Sequence, residues 1–259
     1  KAVAEQCDVV LTSLPVPADV EAVATGPNGL IEGMRADSAF IDLSTNSVEV
    51  VRRLSAIFAE RHLYMLDAPV SGGPGGAASG KMAIWVGGDE QQFHRHKRVF
   101  DAMADEARYI GTSGAGTIAK LVHNLTTAVV GVALSEVMTM GMKAGVDPLE
   151  LWEAVRQGAT GRQRTFDRLG KFLSSSYDPA DFALRLLHKD VSLGVALGKQ
   201  VSVPMRLTNL ALEELTEAVN RGWGDRDSRV SALLQVERAG LEPPSIEPAK
   251  IQAVLDSGK

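Results

Sequence analysis

Several things are missing from this 259-residue sequence, and each absence excludes something. It has a single cysteine, Cys7, so no internal disulfide can form, and that usage fits a reducing compartment such as the cytoplasm. Cys7 runs into Asp8-Val9-Val10-Leu11 and reads as a small residue beside a buried strand rather than a nucleophile. Basic residues are not in excess: 27 Lys and Arg stand against 32 Asp and Glu, for a net charge of −5. Nothing therefore draws the chain to nucleic acid or to an anionic membrane surface. The longest apolar helical stretch, Ala128 to Met142, is interrupted by Ser135 and Glu136 and is expected to be too short to span a bilayer. Lys1 to Gln6 leads straight into a strand pattern with no signal-peptide character. There is no repeat and no low-complexity tract. No Gly-x-Gly-x-x-Gly follows a strand anywhere; Gly72 to Gly76 has a different spacing, and the residues after it are not expected to open a helix.

The first part of the chain alternates strand and helix patterns. Apolar runs at Asp8–Leu14, Ala39–Leu43, Leu63–Asp67 and Lys81–Gly87 read as strands, and Glu106–Ile110 as a last one. Between them helices are expected at Ala18–Thr25, at Val48–Arg61 with a Ser or Asn of 44–47 as cap, and from Asp89 to about Ala104. Alternation of this kind implies a mostly parallel, helix-covered sheet, in which ligands bind beyond the carboxyl ends of the strands. Leu14-Pro15, Ser44-Thr45 and Ser71-Gly72-Gly73 all fall at such ends.

From Gly114 onward the strand pattern disappears. Thr117 to Ala144 reads as one long helix, with Ile118, Leu121, Val122, Leu125, Val129, Val132, Val137 and Met140 at helical spacing and Gly145 closing it. Asp147-Pro148 starts the next helix, with Asp as N-cap and Pro at the first helical position. Further helices are expected at 149–157, 164–174, 184–198, 204–221 and 228–239, and the tail from Glu242 to Pro248 reads as a loop. The expected fold class is thus α/β plus all-α. A mostly parallel sheet domain (1–112) is joined by the long helix to an all-helical domain (113–259).

Two segments suit a specific chemistry. In Gly114-Ala115-Gly116-Thr117-Ile118-Ala119-Lys120-Leu121-Val122-His123-Asn124 the glycines allow a tight turn before the helix, and Lys120 and Asn124 share one helix face. A lysine with a depressed pKa can exchange an alcohol proton, and an adjacent amide can orient the substrate. In Asp67-Ala68-Pro69-Val70-Ser71-Gly72-Gly73-Pro74-Gly75-Gly76-Ala77 the bare glycines let a carboxylate approach backbone N–H groups, with the Ser71 hydroxyl as a further donor.

Together these two motifs resemble the substrate-binding and catalytic segments of the β-hydroxyacid dehydrogenases, the family of 3-hydroxyisobutyrate and tartronate semialdehyde enzymes. The resemblance runs from Cys7 to about Ala239, and it implies that 1–112 is an incomplete Rossmann-type domain and 113–259 a substrate and oligomerisation domain. It implies a hydride transfer between NAD or NADP and a small 3-hydroxy acid or the matching semialdehyde. It makes Lys120 the general acid/base, Asn124 its partner in the catalytic pair, and Ser71, Gly72 and Gly73 the substrate-binding residues. By the same resemblance Leu14, Pro15 and Thr45 line the nicotinamide and its ribose, with Ser44 and Asp19 as weaker candidates. Lys189, in Leu186-Leu187-His188-Lys189-Asp190, reaches the cofactor, and its ammonium would help depress the pKa of Lys120. His123 and His188 flank these motifs without metal-ligand spacing and read as structural, so no metal is expected.

The chain departs from the family in two places. Family members ordinarily carry a leading segment with the first strand, the Gly-x-Gly-x-x-Gly turn and the residue that selects NAD or NADP; without it the sheet would have an uncovered edge and the pyrophosphate no helix N-terminus. The sequence is therefore expected to be a piece of a longer protein. Gly222 to Ser231 also runs differently from many relatives. An imine reductase-like enzyme and a truncated, non-catalytic helical oligomerisation protein are the alternatives. Lys120 argues against the first, and the co-occurrence of Ser71, Lys120, Asn124 and Lys189 against the second. Leu and Val stripes on the helices around 204–221 imply a homodimer or homotetramer.

Overall fold

The computed structural model describes residues 1–158, 161 and 167–257, less the side chains of Glu136, Val137, Met140 and Ser257. The expected start of a helix at 164–166, and the periodic positions Val137 and Met140, lie outside what is described. The chain divides into two compact units, Lys1–His123 and Asn124–Lys259.

The first unit is built on a six-stranded sheet. Strands β1 (Val9–Thr12), β2 (Ala39–Asp42) and β3 (Tyr64–Asp67) pair in parallel, and β1 lies at one edge. Helices α1 (Pro17–Thr25) and α2 (Val48–Ala59) connect them, as short apolar strands separated by amphipathic helices require. Phe40, Val51, Leu54, Phe58 and Met65 form one core, against which Cys7 packs half-buried. The register places Thr12, Asp42 and Asp67 in one row across the carboxyl ends of the three strands. Opposite Asp67 in the antiparallel pairing stands Gly87, the last residue of β5 (Met82–Gly87).

The sheet is not wholly parallel. After β3 the chain turns through β4 (Val70–Ser71), which pairs antiparallel with β5, and β6 (Ala104–Gly111) then pairs with β5 in parallel. The glycine run, expected not to open a helix, does open one: α3 (Gly73–Ser79). Gly72 and Gly73 enter it at φ of +138° and +60°, Pro74 supplies a preset first turn, and Gly80 ends it in the left-handed region. The helix expected from Asp89 to Ala104 is broken at His96 into α4 (Glu90–Arg95) and α5 (Lys97–Asp101). Asp89 caps it as expected, accepting from Gln92 N. Ser47 occupies the N-cap position of α2 but makes no side-chain cap bond; the neighbouring Asn46 instead accepts from Ser47 N.

The long helix α6 (Ala115–Lys143) begins in the first unit, where one buried carboxylate anchors it. Asp67 accepts from the backbone N–H of Gly114 and of Thr117, each at 2.8 Å. This satisfies donors that a helix start otherwise leaves open, and it sets negative charge against the positive end of the helix dipole. Burial nevertheless pushes the Asp67 carboxyl above its ordinary value, the backbone hydrogen bonds pulling it back only in part. The approach is close enough to need glycine. A Cβ on Gly116 would overlap the carbonyl oxygens of Trp85 and Asp67, and one on Gly87 would sit 2.6 Å from Asp67 Oδ1.

In the second unit α6 runs on to Gly145, which closes it at φ +96°. Asp147 caps α7 (Pro148–Gln157), accepting from the N–H groups of Leu149 and Glu150. There follow α8 (Gly170–Ser174), α9 (Leu184–Gln200), α10 (Arg206–Ala218) and α11 (Ala232–Arg238). A last helix, α12 (Pro248–Ser257), lies beyond the expected loop and contributes Ile251 and Val254 to a core with Trp152, Phe172 and Leu134. A second helical core gathers Tyr177, Leu184, Leu187, Val191 and Leu215. The buried Asp227 takes Arg229 on both carboxylate oxygens, which ties the turn before α11 to Asp181 and Lys171.

Two expectations for α6 are corrected. Val122 is exposed, not on the packed stripe that Leu121, Ala128 and Leu134 form. The stretch Ala115–Ser135, 21 residues, is also long and apolar enough by length and composition to cross a bilayer, which the sequence reading had denied of any helix. The stretch starts on a buried carboxylate and carries Lys120 and Asn124, polar groups that hydrocarbon would strand.

Gly116→Ala should lower the thermal unfolding midpoint by several degrees, since overpacking costs about 1–3 kcal/mol and a kilocalorie moves a chain of this size by roughly 2–4 °C. Gly75→Ala, whose added methyl meets nothing within 4 Å, should leave it unchanged or raise it. Thermal unfolding followed by circular dichroism reads both; equal midpoints for the two variants would refute the close-approach argument.

Candidate active site

The strand ends of the first unit are organised by buried carboxylates. Asp42, last residue of β2, accepts from Thr12 Oγ1 at 3.0 Å, Ser44 N at 3.1 Å and Asn46 Nδ2 at 3.0 Å. Ser44 Oγ in turn accepts from Leu14 N at 2.8 Å. The loops after β1 and β2 are therefore stitched together, which brings Leu14-Pro15 beside Ser44-Thr45. Leu14 and Thr45 are half-buried and Pro15 is exposed, so the two loops present a small ledge at the strand ends. Such a ledge suits one face of a flat ring. Ser44 is buried and spends its hydroxyl on the loop, while Asp19 lies exposed on α1.

Lys120 is half-buried in the second turn of α6, its height along the helix fixed by the Asp67 anchor at 114 and 117. His123, three residues on, shares its helix face. Ser71 Oγ lies 3.5 Å from His123 Nε2, and the Trp85 ring packs on the imidazole with centroids 5.3 Å apart. The structure therefore brings Ser71 to the face of α6 that carries Lys120. Gly72 and Gly73 are exposed at positive φ, and a Cβ on Gly73 would meet nothing within 4 Å. His123, expected to be structural, is in fact an exposed ring beside this open loop.

In the second unit Asn124 is 3% and Asp190 2% exposed. Asn124 Nδ2 donates to Asp190 Oδ2 at 2.6 Å, and Lys189 Nζ pairs with Asp190 Oδ1 at 3.0 Å. A carboxylate only accepts, so it fixes which end of the Asn124 amide faces it. Asp190 thus brings together Asn124 and Lys189. His188 stands apart from them: its Nε2 is 3.0 Å from Thr216 Oγ1, whose own proton goes to Leu212 O. Burial lowers the His188 pKa, which favours the neutral ring donating from Nε2. Among the described residues no group of three His, Cys, Asp or Glu side chains could hold a metal.

Asp42, Asp67 and Asp190 are the residues that the sequence reading passed over. The signal was present: two aspartates end consecutive buried strands, and one stands beside the lysine that was singled out.

The profile of the NAD binding domain of 6-phosphogluconate dehydrogenase matches residues 1–111, and that of the NAD-binding region of NADP-dependent 3-hydroxyisobutyrate dehydrogenase matches residues 114–243. The chain is 32% identical over 235 residues to 2-(hydroxymethyl)glutarate dehydrogenase of Eubacterium barkeri, covering 90% of this chain and 77% of that one. The chain belongs to the β-hydroxyacid dehydrogenase family. Among solved structures, a 3-hydroxyisobutyrate dehydrogenase of Salmonella typhimurium is similar with a TM-score of 0.79 at 31% identity, covering 90% of this chain and 81% of that one. The 3-hydroxyisobutyrate dehydrogenase of Mycobacterium tuberculosis, solved with L-serine, gives a TM-score of 0.79 at 26% identity over 90% of this chain and 81% of that one. The chain is an NAD(P)-dependent β-hydroxyacid dehydrogenase with the two-part fold of these enzymes, a mostly parallel sheet followed by a helical region.

Asp190→Asn would put a second amide against Asn124 and leave the Lys189 ammonium facing a neutral group. A loss of about 1–3 kcal/mol of stability is expected from the spoiled buried hydrogen bonds. Urea unfolding measures it; an unchanged midpoint would mean that Asp190 does not hold this pair.

Proposed function

We propose that the chain interconverts a small 3-hydroxy acid and the matching semialdehyde, with Lys120 exchanging the hydroxyl proton. The observation that carries this is the placement of Lys120 on a helix turn fixed by Asp67, with Ser71 against the same helix face through His123. Ser71, Gly72 and Gly73 hold the substrate carboxylate: a hydroxyl and bare backbone N–H groups suit an anion, and the open space at Gly73 admits it. Asn124, oriented by Asp190, orients the reacting hydroxyl. The ledge of Leu14, Pro15 and Thr45 fits the nicotinamide end of the cofactor, and Lys189 serves the same ligand. NAD or NADP supplies the hydride acceptor or donor. As the hydroxyl-bearing carbon gives up its hydride, Lys120 takes the hydroxyl proton; in the reverse direction it returns that proton to the carbonyl oxygen.

Lys120 also speaks against an imine reductase-like role, and the dehydrogenase family against a purely structural one. A cytoplasmic location is proposed on the lone reduced cysteine. Self-association is proposed on the apolar residues at and before α10: Leu207 is 67% and Leu210 59% exposed, with Val201 and Val203 also open. Light scattering should give a homodimer or homotetramer; a monomer at working concentration would refute it.

Lys120→Ala should lower turnover of a 3-hydroxy acid by ~10²-fold or more while the unfolding midpoint holds, as expected on removal of a general acid/base. Steady-state kinetics with NAD and NADP reads this. Near-native turnover would remove Lys120 from the chemistry.

A further inference from the structure

We propose that the cavity among α6, α8, α9 and the turn before α11 binds one small monovalent anion, such as chloride, with Arg168 as its principal ligand. The site lies wholly within the second unit and does not depend on the chemistry proposed for Lys120.

The cavity holds about 30 Å³, room for one or two groups the size of water. Arg168 and Arg229 both line it, and no aspartate or glutamate does. Arg168, in the turn before α8, reaches across to α6: a Cβ on Gly131 would stand 3.7 Å from its Nη2. The neighbouring Asp167 is taken by Arg156 at 2.8 Å, and among the described residues no carboxylate pairs with Arg168. Arg229 is placed differently. Its Nε and Nη2 are spent on Asp227 and Asp181, and Lys171 shares the same two carboxylates. Two cations there match two anions, so Arg168 leaves one positive charge over. A guanidinium removed from water without a counter-ion is costly, and a like charge beside it adds to the cost. Both causes, burial first and then Arg229, push the Arg168 pKa below its ordinary value.

The polar groups of the wall complete the donor set. Ser135 and Ser231 give their protons to Val132 O and Ser228 O. The hydroxyls of Thr127 and Ser228 make no hydrogen bond among the described residues, so each has a proton to donate into the cavity. A guanidinium and two hydroxyls without an acidic neighbour suit an anion and repel a cation. Water would fill the space but leave the charge of Arg168 unmatched. An ion held there ties α6 to the turns before α8 and α11, segments that meet only in the folded chain, so its binding stabilises the fold by mass action.

Thermal unfolding at fixed ionic strength tests this, with chloride replacing gluconate, an anion too large for the cavity. The wild-type midpoint should rise by about 2–4 °C once chloride is several-fold above its Kd. Arg168→Met, which keeps an apolar stem and removes the charge, should lose the rise. Arg35→Met, which removes an exposed arginine paired with Asp8, should keep it. Crystals grown in gluconate and soaked in bromide should show an anomalous peak within hydrogen-bond reach of the Arg168 guanidinium. No rise in the wild type, the same rise in Arg168→Met, or bromide found only elsewhere overturns the proposal. Should Arg168→Met fail to fold, the bromide position in the wild type decides by itself.

Discussion

One carboxylate sets the geometry of the first unit. Asp67 ends β3, which lies between β2 and β5 in the sheet, and accepts from backbone donors at the start of α6. The contact works only because two chain segments lack Cβ atoms, at Gly87 and Gly116, so that the helix start can press against the sheet. An anion buried this deeply is costly, which is why its carboxyl is held above its ordinary value. Two backbone hydrogen bonds from the helix start offset that cost, since the helix brings a fixed positive potential as well as the N–H groups. The consequence is positional. Once the turn at 114–117 is nailed to the sheet, the direction and the height of Lys120 follow from helix geometry alone.

The same device recurs, and it fixes the loops that carry Leu14, Pro15 and Thr45 as well as the helices that carry Lys120, Asn124 and Lys189. Asp42 gathers Thr12, Ser44 and Asn46 at the end of β2, and through Ser44 it holds Leu14. In the second unit Asp190 holds Asn124 and Lys189, and Asp227 holds Arg229 and the backbone of Asp181. Each is a buried aspartate whose oxygens are spent on several partners. Loops otherwise sample many conformations; a charged acceptor fixed to a strand end or a helix restricts them, because every lost contact would leave a buried charge short of a donor.

How far the sequence carried the fold follows from the range of the forces involved. The strands at 39–43 and 63–67, the cap at Asp147-Pro148 and the stop at Gly145 depend on neighbours in the chain, and they read correctly. What failed depended on distant partners. The break at His96 divides a segment whose local pattern is continuously helical. The glycine run opens α3 because Gly72, Gly73 and Gly80 all take left-handed conformations, a property of the folded turn that spacing does not encode. The apolar stretch Ala115–Ser135 was underestimated because the stretch weighed, Ala128–Met142, overlaps only its last residues. At the site, the residue types drew attention to Lys120, Ser71 and Asn124, whose chemistry is conspicuous. Asp42, Asp67 and Asp190 stayed hidden, because an aspartate reveals its role only through what it accepts from.

The division of labour between Lys189 and Asp190 shows how such a pair should be understood. Neighbours in a helix point about 100° apart and do not face each other, so the ammonium must fold back along its stem to reach 3.0 Å from the carboxylate. That geometry leaves the lysine's flexible chain curled over a fully buried anion, which is a stable arrangement with Asn124 as the third member. A cofactor that engages Lys189 would draw on the same charge that Asp190 uses. The carboxylate would then lean more heavily on Asn124, tightening the amide when the ligand is present. Were the proposed cofactor contact made at Lys189, the shared carboxylate of Asp190 would link it to the orientation of the amide proposed to align the substrate.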